Sequence, residues 1–501
     1  MKLSELLNGL AENMVDLDIA GLCLDSRQVQ AGDAFIALNG ALQHGIRHAE
    51  QAVANGAIAV IVDPTGAEQQ MLAALRVPAV SVVDLAQKLG KIAAKFYGYP
   101  SQTLNMIGVT GTNGKTTCSQ LIAQALPACG VIGTLGWGDV GHLQATANTT
   151  PDALAVQQML HAFVKQGKQA AAMEVSSHGL QQGRVNAVAF KGAVFTNLSR
   201  DHLDYHGSME QYLQAKLALF KTPGLQFAVV NLDDPNSAEV LRSLSGNVQR
   251  WTYSASGNQG NHPEVVIAEQ VKHSVAGIEF DAVWREHRQR ATTTLVGEFN
   301  LDNVLAVLCV LLATGSEFAA AVAQIAQLSA IAGRMEKFGG QGKPTVFVDY
   351  AHSPDALEKV LKAVKGHHRL RVVFGCGGDR DQGKRPEMGR IAEAWADQVT
   401  VTDDNPRSEA PAAIIEDILR GCQSHRRMNA VSTRQGAITE KITVINDRAT
   451  AINTVIRQAD PDDCVVIAGK GHENYQEIAG VRLPFSDRDA VEQALAVWSP
   501  A

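Results

Sequence analysis

The 501 residues are 46% apolar and 19% charged, with 44 Lys and Arg against 51 Asp and Glu and a net charge of −7. This is the composition of an ordinary globular protein of roughly three domains, and the absence of any Lys- or Arg-rich run weighs against nucleic acid as the main partner. Met1-Lys2-Leu3-Ser4-Glu5 lacks an apolar signal core, the longest apolar run, Val304 to Ala313, is too short to span a bilayer, and seven scattered cysteines without CxxC pairs suit free thiols in a reducing cytoplasm.

Residues 1–88 read as a small α/β unit. Its strands are 19–24, running into the turn Asp25-Ser26-Arg27, then 33–38, 57–62 and 79–83, with a helix before each of the last two. A helix over 84–97 leads to the stretch around which the chain is organised, Val109-Thr110-Gly111-Thr112-Asn113-Gly114-Lys115-Thr116-Thr117. Met106, Ile107 and Gly108 precede it as a buried strand, and helical spacing resumes at Cys118. Glycines at a strand-to-helix turn let backbone N–H groups and the helix N-terminus close around an anion. Lys115 would reach the outer phosphates of a nucleotide, and the Thr116 hydroxyl a Mg²⁺ ion. Val109 stands where the strict pattern has Gly.

Further on, the strand 170–174 ends in Glu174, a carboxylate placed where a Mg²⁺ ligand belongs. The strand 192–196 runs into Asp201-His202-Leu203-Asp204-Tyr205-His206, a set suited to a cation or to phosphate. The helix 209–220 carries Lys216, which on periodicity alone reads as a surface lysine whose stem covers apolar neighbours. Residues 250–298 read as β-rich, followed by a buried helix (304–313) and a second one (318–328). The last third alternates strand and helix, the signature of a doubly wound parallel sheet. Four of its strands end in polar clusters: Asp349-Tyr350-Ala351-His352, Gly377-Gly378-Asp379-Arg380-Asp381, Asp403-Asp404-Asn405-Pro406-Arg407 and Gly469-Lys470-Gly471-His472-Glu473. Ligands of open parallel sheets bind beyond such ends.

Taken together, Val109 to Thr117, Glu174-Val175-Ser176-Ser177-His178, Asp201 to His206, Gly333-Arg334 and Asp349 to His352 make the chain resemble the Mur ligases, the ATP-dependent amino-acid-adding enzymes of peptidoglycan synthesis. The resemblance covers nearly the whole chain. Asp404-Asn405-Pro406-Arg407 with Gly469 to Glu473 narrows it to members that add the third peptide residue. It implies an α/β fold of three domains: 1–88 for the UDP substrate, 89–332 with a P-loop-type mononucleotide-binding sheet for ATP, and 333–501, a Rossmann-like doubly wound sheet, for the amino acid. It also implies a cytoplasmic monomer, without membrane insertion, that uses ATP and Mg²⁺ to join meso-diaminopimelate to UDP-N-acetylmuramoyl-L-alanyl-D-glutamate through an acyl phosphate.

The roles follow by matching position. Lys115, Glu174, His202 and Lys216 are the implied catalytic set. Gly111, Thr112, Asn113, Gly114, Lys115, Thr116 and Thr117 would hold the ATP phosphates, with Asn300, Arg334 and Asp349 contacting ATP from across a domain cleft that must close. Thr116, Glu174, His202 and Lys216 would serve the metals, Lys216 as an N-carboxylated lysine, which displaces the surface reading. Leu24 and Ser26 match uridine-side contacts, while Ala41-Leu42-Gln43 departs from the triplet expected there. Asn148, Thr149, Thr150, Ser176, Gln182 and Arg184 match muramoyl-peptide contacts. Arg380, Asp404, Asn405, Pro406, Arg407, Gly469 and Glu473 match contacts to the incoming amino acid, and lysine-adding relatives lack an arginine at position 407. Folylpolyglutamate synthetases share the phosphate loop and the chemistry, but Asp404 to Arg407 and Asp25-Ser26-Arg27 argue against them. A regulator without catalysis is opposed by the intact Lys115, Glu174, His202 and Lys216.

Overall fold

The computed structural model describes residues 1–11, 15–40, 43–260, 262–366, 369–423 and 441–500. Ala41 and Leu42 of the uridine-side stretch lie outside them. The chain divides into two compact units, Met1–Ile267 with Leu305–Phe318, and Ala268–Val304 with Ala319–Ala501.

The first unit holds two parallel sheets. In the smaller one, Gly21–Cys23, Asp33–Ala37, Ala59–Val62 and Ala79–Ser81 pair in sequence order. Ala59–Val62 is buried along its whole length, as expected of a parallel strand covered on both faces. In the larger sheet the parallel order is Val265–Ile267 (the start of the strand Val265–Ser274), Gln249–Ser254, Phe227–Asn231, Phe190–Phe195, Asn105–Thr110, Ala170–Glu174 and Cys129–Gly133. An antiparallel hairpin, Gly136–Asp139 with His142–Gln144, completes that edge. Asn105–Thr110, the strand feeding the glycine loop, lies between Phe190–Phe195 and Ala170–Glu174. The loop, Glu174 and Thr196-Asn197 therefore emerge from the same edge. The helix Ala153–Lys165 begins on Asp152, whose carboxylate accepts from the N–H groups of Leu154 and Ala155.

The helix Met209–Phe220 overturns the surface reading of Lys216. Tyr212, Leu213, Lys216, Leu217, Leu219 and Phe220 are all buried, and Lys216 is 1% exposed. The lysine sits one turn beyond Tyr212, with its ammonium 4.3 Å from that ring's centroid.

In the second unit, an antiparallel hairpin, Gly277–Trp284 with His287–Thr293, accompanies a sheet ordered Glu336–Gly339, Thr345–Asp349, Cys464–Ala468, Leu370–Phe374, Gln398–Val401 and Ile442–Val444. All pairs but the first are parallel. The last long strand in sequence, Cys464–Ala468, lies between Thr345–Asp349 and Leu370–Phe374, which brings the four polar clusters to one edge. A small hairpin, Tyr475–Ile478 with Val481–Pro484, follows. All seven cysteines are free, and among the described residues no helix is long and apolar enough to cross a membrane.

Behind the polar edge sits a fully buried ion pair. Arg448 binds Asp487 through Nε at 2.7 Å and Nη2 at 2.8 Å, both side chains being 0% exposed, and Nη2 also donates to the Ala468 carbonyl. Removing one partner strands the other charge, at a cost of about 3–5 kcal/mol. Arg448→Met is expected to lower the urea midpoint sharply. Arg448→Met combined with Asp487→Leu should recover much of the loss, because no charge is left stranded.

Candidate active site

The glycine loop is held open by the neighbouring strand end. The Thr112 N–H donates to the Asn197 carbonyl at 2.8 Å, and the Asn113 N–H donates to Asn197 Oδ1 at 3.0 Å. Gly114 caps the helix Lys115–Ala125 at φ +84°, a conformation that favours glycine. Lys115 Nζ donates to the carbonyls of Gly111 and Thr112 at 2.9 Å each. Lys216 Nζ donates to the same Gly111 carbonyl at 2.8 Å. Two lysine nitrogens thus converge on one backbone oxygen. Burial, and then the neighbouring Lys115 charge, push the Lys216 amine well below the ordinary lysine range.

Glu174, 0% exposed, accepts from Thr116 Oγ1 at 2.9 Å, the Thr134 N–H at 2.7 Å and Thr134 Oγ1 at 3.0 Å. Gly133 makes room for it, since a Cβ there would lie 2.1 Å from Glu174 Oε1. Two hydroxyls and a backbone N–H thus meet the Glu174 carboxylate oxygens. Hard oxygen donors of this kind suit Mg²⁺. No ready-made cluster of three or more His, Cys, Asp or Glu ligands exists among the described residues. Thr116 contributes a hydroxyl instead, and Lys216 donates rather than accepts.

The implied muramoyl-peptide residues form one continuous wall. Thr150 Oγ1 donates to the Glu174 carbonyl at 2.9 Å and bonds Ser176 Oγ at 3.0 Å. The Thr149 and Thr134 hydroxyl oxygens lie 3.0 Å apart. Arg184 Nη1 donates to the Thr150 carbonyl at 2.7 Å, while its Nε and Nη2 hold Gln182 Oε1. A cavity of about 250 Å³ is lined by Lys115, Asn148, Thr149, Thr150, Ser176, Ser177, His178, Arg184, His202, Tyr212 and Lys216. Loop lysine, buried lysine, histidine and peptide wall therefore share one space. His202 takes φ +53°. Burial pushes it below the ordinary histidine range, with Asp201 opposing. Burial, then His202 and His206, push His178 down to about 4.

Thr134 and Tyr212 carry no role from the sequence reading, and His206 only membership of the Asp201–His206 set. Thr134 grips Glu174, and the apolar run 129–133 before it was the signal of a strand end. Tyr212 shares a 3.3 Å hydroxyl contact with Thr112. His206 bonds Ser177 Oγ at 2.9 Å. Ser26 lies apart, at the end of the first strand, with its hydroxyl donated to Gln51 at 2.7 Å; Leu24 is half-buried nearby.

The second unit gathers the other implied residues. Asp349 is buried, accepts from the Met335 N–H at 2.7 Å, and is raised above the usual carboxylate range by that burial, against the pull of Arg334. Arg334 lies over the Tyr350 ring at 4.6 Å. Asn300 is buried and donates to the Val296 carbonyl at 2.8 Å. Asp404, Asn405 and Pro406 are buried beside Gly469 and Glu473: a Cβ on Gly469 would meet Asp404 Oδ2 at 3.2 Å, and Asn405 Nδ2 donates to Glu473 Oε2 at 2.8 Å.

Arg407 adopts φ +52° and is clamped by backbone bonds to the small hairpin, its N–H to the Glu477 carbonyl at 3.0 Å and the Ala479 N–H to its own carbonyl at 2.8 Å. Its Nη1 donates to the Gly378 carbonyl at 2.6 Å, and its Nε lies 3.8 Å from the Glu477 carboxylate. Arg380 is exposed, bonding its neighbour's carbonyl, but both arginines border Gly377.

Three domain families match the chain in order: "Mur ligase family, catalytic domain" over residues 18–97, "Mur ligase middle domain" over 109–311, and "Mur ligase, glutamate ligase domain" over 333–471. The UDP-N-acetylmuramoyl-L-alanyl-D-glutamate--2,6-diaminopimelate ligase of Pseudomonas aeruginosa is 49% identical over 492 residues, 96% of each chain. Its namesake from Pseudomonas syringae pv. tomato is 47% identical over 489 residues, again 96% of each. A solved structure bearing the same ligase name superimposes with a TM-score of 0.69 at 37% identity, covering 99% of both chains. The chain belongs to the Mur ligase family.

Proposed function

We propose that this chain is the ATP-dependent ligase that joins meso-diaminopimelate to UDP-N-acetylmuramoyl-L-alanyl-D-glutamate, a step of peptidoglycan precursor synthesis. Near-full-length likeness to ligases of that name supports the reading. The observation that carries it is the shared cavity, in which the phosphate-loop lysine, the buried Lys216 and the Thr149–Thr150–Ser176–Arg184 wall line one space. Residues 1–88 would serve the UDP part through Leu24 and Ser26, 89–332 the ATP phosphates and the dipeptide, and 333–501 the incoming amino acid, within a single polypeptide working as a monomer.

A carboxylate does not condense with an amine in water because its leaving group is poor. Here the substrate's terminal carboxylate oxygen would attack the γ-phosphorus of ATP, and ADP would leave. The diaminopimelate amine would then attack the acyl carbon, orthophosphate would leave, and an amide would form. Loop N–H groups, Lys115 and Arg334 would stabilise the charge spread over the phosphoryl oxygens. Asn300 and Asp349 would contact the nucleotide. Thr116, Glu174, His202 and carbamylated Lys216 would hold Mg²⁺, whose part is to neutralise phosphate charge. Asn148, Thr149, Thr150, Ser176, Gln182 and Arg184 would fix the dipeptide so that its carboxylate meets the phosphate in line. Arg380, Asp404 to Arg407, Gly469 and Glu473 would orient the amino acid.

The test is orthophosphate release from ATP by the purified full chain. It is expected only with both the UDP-muramoyl dipeptide and diaminopimelate present. Release that needs neither, or that responds to a folate and glutamate instead, would overturn the reading.

A further inference from the structure

Lys470 is, with Lys216, one of the two lysines buried among the described residues. Its side chain is 0% exposed. Its ammonium donates to Asn405 Oδ1 at 2.9 Å and to Glu473 Oε2 at 3.0 Å, and lies 3.5 Å from Asp404 Oδ1. Asn405 closes the triangle by donating Nδ2 to the same Glu473 oxygen at 2.8 Å, while its Oδ1 also accepts the Glu477 N–H at 2.9 Å. Three residues that the family resemblance assigns to the incoming amino acid are thus tied to one lysine to which it assigns nothing.

We infer that Lys470 is the positioning residue of the amino-acid site, holding Asp404, Asn405 and Glu473 so that their remaining acceptors receive an ammonium group of the incoming amino acid. The inference rests on the function proposed above. The Asp404 and Glu473 carboxylates both approach the same ammonium, at 3.5 and 3.0 Å. Lys470 Nζ therefore bridges the two carboxylates and Asn405 Oδ1. Two of its three N–H bonds go to Asn405 and Glu473, and Asp404 Oδ1 remains a buried acceptor without a hydrogen bond. A buried acceptor left over costs stability in the free protein, and a second ammonium would satisfy it. Lys470 itself is covered by these side chains, and so acts through them rather than by touching substrate.

The test is steady-state orthophosphate release by full-length wild type, Lys470→Met, Glu473→Gln and the double variant. Lys470→Met is expected to raise KM for diaminopimelate on the order of tenfold or more, the scale of a lost charge-assisted hydrogen bond, with KM for ATP and for the UDP-dipeptide within about twofold of wild type. The double variant should lose little more than the worse single variant, because both remove the same arrangement. A merely structural role would depress all three substrates together and add fully in the double variant. Should Lys470→Met not stay folded by thermal melting, Lys470→Gln, which keeps a donor without the charge, takes its place with the same expectation. Any folded variant with wild-type KM for diaminopimelate overturns the inference. A wild type that releases no orthophosphate with diaminopimelate would instead overturn the proposed function.

Discussion

Lys216→Ala is expected to lose ligase activity by about 10²-fold or more, the scale of removing one preorganised charge-stabilising group, and short carboxylic acids added to the assay should restore part of it. The reason lies in the site's charge balance. Lys216 is 1% exposed and shares the Gly111 carbonyl with Lys115. Burial and the second lysine favour the neutral amine, and a neutral amine is the form that adds to the carbon of CO₂ and releases one proton to give a carbamate. That step turns an amine nitrogen into an anionic oxygen ligand, a second anionic donor in addition to Glu174. Orthophosphate release with and without added acetate or propionate measures both effects. Full activity in the unsupplemented alanine variant would end this account of Lys216.

Arg407→Ala should abolish the preference for diaminopimelate over lysine while leaving ATP affinity nearly unchanged. A guanidinium pairs with the far carboxylate of diaminopimelate through two parallel N–H···O bonds, and a site built for such a partner can reject an analogue that lacks it by on the order of 10⁴-fold. The structure tempers that figure. Glu477 stands 3.8 Å from the Arg407 Nε and the Gly378 carbonyl accepts from its Nη1, so with lysine bound the arginine keeps partial partners. The expected discrimination therefore falls below the full value. The ratio of kcat/KM for the two diamino acids, in wild type and in Arg407→Ala, checks this. An unchanged ratio would refute the role.

What the sequence revealed and what it hid have separate physical causes. The phosphate loop was legible because its chemistry is local: strand, glycines, lysine and helix start are contiguous. The helix Leu85–Phe96 was legible because an apolar stripe runs along it, burying Leu85, Leu89, Ile92 and Ala93. Parallel strands such as Ala170–Glu174 and Phe190–Phe195 announced themselves as largely apolar runs. The hairpin at Gly136–Asp139 did not, because its strands are short and the first alternates glycine with Trp137 and Asp139. Lys216 was misread on periodicity because its partner is a carbonyl 105 residues away, and nothing within one helix turn signals it. Thr134 and Lys470 were hidden for the same reason, since each gains its meaning from a residue on another strand end. Arg407 was visible as a residue type, but the strained backbone that aims it depends on pairing with the later hairpin.

The central claim is that this site makes a carboxylate reactive by phosphorylating it. The direct measurement places ¹⁸O in the terminal D-glutamate carboxylate of the UDP-dipeptide, runs one turnover with ATP and diaminopimelate, and reads the released orthophosphate by mass spectrometry. The account predicts one ¹⁸O in each orthophosphate and ADP as the nucleotide product. Unlabelled orthophosphate, or AMP with pyrophosphate, would contradict it.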